Sequence, residues 1–278
     1  MNESNRGPGW TAAKRLGGKV AVVIGAGQSP GEGVGNGRAA AMRYAREGAH
    51  VLAVDRSLDS AEETAAAIRQ EGFDSVALAA DVTREGDLAH AMQEVQRLWG
   101  SLDILHNNVG VSIAGGDADV LDITEEAFDN ICRINLRGTV FACKHAIPIM
   151  RAQRSGAIVN ISSGAAAGKY PYVAYKATKA GVIAFTEQMA LQNAPFGIRV
   201  NCILPGLIAT PMAVDTRART WKQSREQVLA ERIAKIPLGC QGSAWDVANA
   251  ALFLASSEAG FITGIAMTID GGRILNRI

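Results

Sequence analysis

Two hydrophobic rhythms alternate along this chain. Short, mostly unbroken apolar runs recur at Lys19–Gly25 (KVAVVIG), His50–Asp55 (HVLAVD), 75–80, 103–108, 157–162, 198–204 and Ala266–Ile269. Runs of that length, rich in Val and Ile and bounded by Gly, Asp or Asn, predict buried strands. The longer segments between them predict helices from just after Gly37 through Arg46, over 59–71, 85–99, 124–153 and 172–194, and near 243–255. Strands that alternate with helices predict an α/β fold: a doubly wound parallel sheet of about seven strands with helices on both faces. No linker, internal repeat or low-complexity tract interrupts the alternation, so residues 19–278 are read as a single domain. Residues 1–18, with Gly, Pro and polar side chains, are read as a flexible leader. Residues 212–237 are polar with few apolar positions in register. Within 206–237 we therefore expect one or two short helices that close over a substrate as a lid; a solvated surface insertion is the alternative.

Composition narrows the function classes. The 278 residues are 48% hydrophobic and 20% charged, as in an ordinary globule with ample core. A formal net charge of +1 gives no reason to expect nucleic acid or an anionic membrane as a partner. No apolar stretch is long enough to span a bilayer, and the first residues lack the apolar run of a signal peptide. Cys132, Cys143, Cys202 and Cys240 show no CxxC spacing, and histidine is scarce. No metal site or disulfide framework is expected, and buried thiols suit a reducing, cytoplasmic setting.

The candidate chemistry sits at the ends of the strands. After the first strand comes a glycine-dense loop, Ala26 to Gly37, and then a helix. Strand, glycine loop, helix and strand in that order begin a Rossmann-type dinucleotide-binding fold. The spacing G-x-x-x-G-x-G fits more than once. The strand finishes at Ile24-Gly25 and the helical run begins just after Gly37, so Gly25, Gly35 and Gly37, with Asn36 between the last two, are taken as the phosphate-binding positions. Glycines admit close backbone approach, and a helix start favours negative charge. Asp55 ends the second strand, where an acid accepts hydrogen bonds from ribose hydroxyls and repels a 2′-phosphate. This favours NAD over NADP as cofactor, although Arg56 could swing onto a 2′-phosphate.

The stretch Ser162–Lys179 (SSGAAAGKYPYVAYKATK) carries the reactive groups. Residues four apart on a helix share a face, so Tyr175 and Lys179 point into one space. A nearby cation favours the phenolate, and the expectation is a tyrosine acidic enough to move a proton near neutral pH. The preceding strand delivers Ser162 and Ser163 at its C-terminal end, where ligands bind in open parallel sheets.

Strand, Ser and Tyr-x-x-x-Lys in this order resemble the active site of the short-chain dehydrogenase/reductase family. Asn107-Asn108-Val109-Gly110 resembles the family's Asn-Asn-Ala-Gly motif, and Pro205-Gly206-Leu207-Ile208-Ala209-Thr210 its Pro-Gly-x-x-x-Thr motif. The resemblance covers about Gly18 to Gly272. It implies that Asp81 and Val82 contact adenine, although Asp81 or Thr83 would also serve as a helix N-cap. It implies that Asn107 is structural, that Asn108 lies beside the cofactor, and that Ile208 and Thr210 meet the nicotinamide end. Asn135, a poor mid-helix residue, would position a relay water. A family spacing of thirteen residues before the tyrosine selects Ser162 as the serine that holds the substrate oxygen; alignment from the strand selects Ser163, which we take. Two departures stand out. The glycine loop is longer than usual, with SPGEGV as the extra piece, and Ile24 replaces a common threonine.

The resemblance implies an oxidoreductase that moves a hydride between a nicotinamide cofactor and a small-molecule secondary alcohol or ketone. Catalytic roles fall to Ser163, Tyr175, Lys179 and Asn135, with Tyr175 and Lys179 also touching the cofactor. It also implies a homo-oligomer, a tetramer or dimer joined through 124–153 and 172–194. The alternatives are a nucleotide-binding sensor or scaffold with little catalysis, and an epimerase, dehydratase or enoyl reductase on the same fold.

Overall fold

The structure is a computed structural model and describes residues 14–275. The chain runs β1 (Val20–Ile24), α1 (Asn36–Arg46), β2 (His50–Asp55), α2 (Leu58–Gln70), β3 (Ser75–Ala79), α3 (Glu85–Trp99), β4 (Ile104–Asn107), α4 (Glu125–Cys132), a π-helical turn (Arg133–Arg137), α5 (Gly138–Gln153), β5 (Gly156–Ile161), α6 (Gly164–Ala167), α7 (Val173–Asn193), β6 (Ile198–Pro205), α8 (Asp215–Trp221), α9 (Arg225–Ile233), α10 (Ala244–Ala255) and β7 (Ala266–Ile269). The seven strands form one sheet in the order β3-β2-β1-β4-β5-β6-β7. All six pairings are parallel.

The inner strands of the sheet are buried on both faces, while the edge strands β3 and β7 are partly exposed. Alternate residues of β1 enter opposite cores: Ala21 and Val23 join α1 and α10, while Val20, Val22 and Ile24 join α3 and α5. This two-sided burial is why the strands read as continuous apolar runs. Chain order reverses at β1, whose neighbours are β2 and β4. The crevice beyond the C-terminal ends of these strands is where such sheets bind ligands.

Three expectations need correction. The segment 124–153 is helical throughout but not uniform, because α4 and α5 are separated by the π turn, and Asn135 is buried within it. The leader does not extend to residue 18: Leu16 is buried in the core and donates its N–H to the Glu47 carbonyl at 2.9 Å. Residues 1–13 lie outside the described part. Finally, neither Asp81 nor Thr83 is the N-cap of α3. Arg84 occupies that place without a side-chain cap, and Asp81 instead accepts from the Thr83 N–H at 2.9 Å and its hydroxyl at 2.8 Å.

Candidate active site

The glycine loop is built around backbone contact. Gly25 turns out of β1 with φ +81°. A Cβ on Gly37 would lie 1.9 Å from the Gly25 carbonyl oxygen, so the start of α1 presses directly on the strand exit. Asn108 ties β4 to the same point, its amide donating to the Gly25 carbonyl at 3.0 Å. The N-cap of α1 is Gly35, with no side-chain cap and no acid in the first turn. The Asn36 side-chain oxygen beside it is buried without a partner. An uncapped helix start flanked by glycines fits a pyrophosphate. Gly35 and Gly37 would let it approach, while Asp55 stands at the adjacent strand end. The Asp55 carboxylate accepts from the N–H groups of Gly27 and Ser57, both at 3.1 Å. Val82 is buried against Gly138, where a Cβ would come within 2.9 Å of it.

The extra piece of the loop meets the segment expected to act as a lid, which carries two short helices, α8 and α9. Arg225 donates to the Asp215 carboxylate at 2.6 Å and to the Glu32 carbonyl at 3.3 Å. It also pairs with the Glu32 carboxylate at 3.3 Å. Gly31 lies so close that a Cβ there would sit 2.6 Å from the Asp215 carboxyl carbon. The inserted residues thus join the glycine loop to α8 and α9.

The reactive groups gather at the start of α7. The Ser162 hydroxyl donates to the Lys179 carbonyl at 2.6 Å and is thereby committed to the backbone. Ser163 accepts from the Ala165 N–H at 3.1 Å as the cap of α6, and its hydroxyl acts on the Tyr175 phenol, favouring the phenolate. Of the two serines, Ser163 therefore faces the tyrosine. The Lys179 ammonium donates to the carbonyls of Ile161 (2.8 Å) and Val109 (3.3 Å) and lies 5.8 Å from the Tyr175 ring centre. A Cβ on Gly110 would approach that ammonium to 2.9 Å. The Asn135 amide clasps the Val111 backbone, accepting from its N–H at 2.8 Å and donating to its carbonyl at 2.9 Å. A longer bond reaches the Thr178 hydroxyl. Ile208 and Thr210 are both buried after β6.

The expected acidic phenol is not what these groups produce on their own. Burial raises the Tyr175 pKa above the usual tyrosine value, and the Ser163 hydroxyl and the Arg217 charge only partly offset it. Burial likewise lowers Lys179, to about 8. Desolvation therefore outweighs the attraction that sequence spacing suggests.

A further residue escaped the sequence reading. Asp117, buried in the loop after β4, accepts from the N–H of Ala174 at 3.0 Å and of Tyr175 at 3.1 Å. The Ala118 carbonyl accepts from Val173 at 3.0 Å. The first turn of α7, which carries Tyr175, is thus capped from more than fifty residues away. No local pattern announces this. Asp117→Ala should cost about 0.5–2 kcal/mol through loss of the cap. A thermal melt should show the loss of stability, and kcat should fall with it as Tyr175 loses its support; an unchanged melt and unchanged kcat would reject this role.

The reversal of strand order at β1, a glycine turn into α1, and a tyrosine, lysine and serine at the neighbouring strand end define a doubly wound nucleotide-binding oxidoreductase. The comparisons agree. A family model described as Enoyl-(Acyl carrier protein) reductase matches residues 32–273. The 2-(R)-hydroxypropyl-CoM dehydrogenase of Xanthobacter autotrophicus is 36% identical over 91% of this chain and 97% of its own. Uncharacterized oxidoreductase YxbG of Bacillus subtilis is 38% identical over 93% of this chain and 92% of its own. Among solved structures, levodione reductase superposes with a TM-score of 0.87 at 30% identity, covering 94% of this chain and 99% of that one. A protein described as a short-chain dehydrogenase/reductase from Burkholderia xenovorans gives 0.87 at 39%, covering 95% and 99%. This chain belongs to the short-chain dehydrogenase/reductase family. It is an oxidoreductase of the kind that uses a nicotinamide cofactor, NAD or NADP.

Proposed function

We propose that the protein is an NAD-linked dehydrogenase or reductase acting on a secondary alcohol or ketone, with Tyr175 as general acid/base. The observation that carries this reading is the meeting of Tyr175, Ser163 and Lys179 beside the strand ends, with Lys179 buried and the other two half-buried. A bound nicotinamide would supply the hydride acceptor or donor. Gly25, Gly35, Asn36, Gly37, Asp55, Asp81, Val82, Asn108, Ile208 and Thr210 would hold the dinucleotide. Ser163 hydrogen-bonds the substrate oxygen and Tyr175 exchanges its proton. Lys179, anchored on the Ile161 and Val109 carbonyls, supplies positive charge beside the phenol. Asn135 fixes the loop against which Lys179 rests. The 2-hydroxypropyl group in the name of the Xanthobacter relative is a secondary alcohol, which supports the same substrate class here.

The enoyl-reductase description of the family model favours reduction of an activated double bond as the second reading. A panel of secondary alcohols, ketones and enoyl thioesters with NAD(H) and NADP(H) separates the two. Turnover of enoyl thioesters alone would overturn the first.

Asp55 supports NAD. Asp55→Ala should relax the preference, raising NADPH affinity relative to NADH by about tenfold, a modest charge effect of roughly 1.4 kcal/mol. Thermal shifts with each reduced cofactor measure this, and a wild type that prefers NADPH would reject the assignment. Self-association also belongs to this reading. A surface groove of about 600 Å³, lined by Asp129, Cys132, Arg133, Leu136, Arg137, Val140 and Phe141, runs along α4 and α5 and contains none of the site residues. It supports a homo-oligomer joined through these helices. Cytoplasmic placement is consistent with the described helices, none of which is long and apolar enough to cross a membrane.

A further inference from the structure

Three arginines surround the substrate side of the site without acidic partners. Arg217, on α8, donates to the Ala213 carbonyl at 2.9 Å and lies 5.8 Å from the Trp221 ring centre. Its charge is felt at both Tyr170 and Tyr175. Tyr170 packs on Tyr175 with the ring centres 5.4 Å apart and the planes tilted by 42°, so the two tyrosines that sense Arg217 adjoin each other. Arg232, on α9, is 8% exposed and donates to the Ile208 carbonyl at 3.0 Å, while its Nε is buried with no partner. Arg273, after β7, lies against Gly168 in the loop between Ser163 and Tyr175, and its Nε is likewise buried and unpartnered. Among the described residues, none of the three forms an ion pair.

The nearby acids are already engaged. Asp117 caps α7 and accepts from Ser112 at 3.0 Å. Asp270 accepts from the backbone of Gly272 at 2.9 Å and of Ile274 at 2.7 Å. Asp215 is held by Arg225. Buried positive charge without a counterion is costly. Burial and the repulsion of Arg217 and Arg273 together lower the Arg232 pKa to about 9. An oxyanion placed among these groups would satisfy the orphaned N–H donors and remove the repulsion. Guanidinium geometry suits carboxylate, sulfonate and phosphate alike.

We propose that the substrate carries an anionic group, a carboxylate, sulfonate or phosphate, which Arg217 binds with support from Arg232 and Arg273 while Ser163 and Tyr175 hold the reacting oxygen. This rests on the hydride-transfer reading for the reaction but not for the binding of the anion. It also gives the lid a function. Arg217 and Arg232 sit on its two helices, so an anionic substrate would draw α8 and α9 towards the site by charge.

Two readouts test the proposal. In thermal shift with saturating NADH, malonate, methanesulfonate or inorganic phosphate should stabilise the full-length protein. The shift should disappear in Arg217→Gln and return in part in Arg217→Lys. In turnover, 3-hydroxybutyrate should exceed 2-butanol in kcat/KM by at least about tenfold, the value of one charged hydrogen bond, and Arg217→Gln should collapse that ratio towards one. A hydroxyalkyl sulfonate and a hydroxyalkyl phosphate of similar length replace 3-hydroxybutyrate in parallel arms and identify the anion. The proposal is overturned if no anion shifts the wild type, if the variant responds equally, or if neutral and anionic alcohols are used alike. Weakened NADH binding in Arg217→Gln would reassign the arginines to the cofactor phosphates and overturn it too. Anion binding with no turnover of any alcohol would reject hydride transfer instead and leave the anion site standing.

Discussion

Tyr175→Phe is expected to lower kcat by about 10²–10⁴-fold, the range a positioned acid/base contributes, while NADH still binds. The substitution removes one hydroxyl and keeps the ring, so the 5.4 Å packing on Tyr170 survives. The N–H bonds from Ala174 and Tyr175 to Asp117 belong to the backbone and survive as well. A fall in turnover without a fall in NADH affinity therefore reports proton transfer rather than lost structure. Full activity in this variant would end the acid/base assignment. The same tyrosine sets an expected pH dependence. Its pKa is raised by burial, so the protonated form prevails at neutral pH. The protonated phenol is the form that donates to a ketone, and alcohol oxidation needs the phenolate. Ketone reduction should therefore be favoured at neutral pH, with oxidation gaining as pH rises. Lys179, lowered to about 8, loses its ammonium before the phenol ionises and with it the charge that favours the phenolate. Oxidation should accordingly level off instead of rising indefinitely. Rate profiles in both directions on one substrate pair check this, and oxidation that falls between neutral and mildly alkaline pH would contradict it.

The inner strands were legible in the sequence because both of their faces are buried. Two-sided burial demands an unbroken apolar run, and every residue of β1, Val20–Ile24, is buried as the run there predicts. The strand-end positions followed from the strands. The π turn was not legible as such, although Asn135 marked the place. Its amide satisfies the Val111 backbone across a gap between elements, and only the packed structure shows that partner. The Asp117 cap was hidden for the same reason, since capping rules look a few residues ahead whereas this carboxylate arrives from a different loop. The Tyr175 pKa was misjudged because helical spacing reports proximity to Lys179 but says nothing of desolvation, and here burial acts on both groups. The arginine cluster was invisible because Arg217, Arg232 and Arg273 come from separate elements.

Gly37→Ala is expected to be the most damaging substitution in the nucleotide loop. The added methyl would lie 1.9 Å from the Gly25 carbonyl oxygen, 2.6 Å from the Asn108 amide nitrogen and 2.8 Å from the Gly25 carbonyl carbon. Two of these three atoms are backbone, so no rotamer change relieves the contact. Either α1 must retreat from β1 or the Gly25 turn, at φ +81°, must open. Overpacking of this kind costs roughly 1–3 kcal/mol or more, and both escapes displace the helix start that would face the pyrophosphate. NADH binding should weaken by at least about tenfold beyond any loss of stability, an energy of about 1.4 kcal/mol. Gly86→Ala is the control. That glycine lies in α3 with no atom within 4 Å of an added Cβ, and a helical Gly→Ala change there should stabilise by up to about 1 kcal/mol. Should Gly37→Ala fail to fold, the contact model stands only if Gly86→Ala folds at least as well as the wild type. Should Gly37→Ala fold and bind NADH normally, the close approach of α1 to the end of β1 is not required for binding.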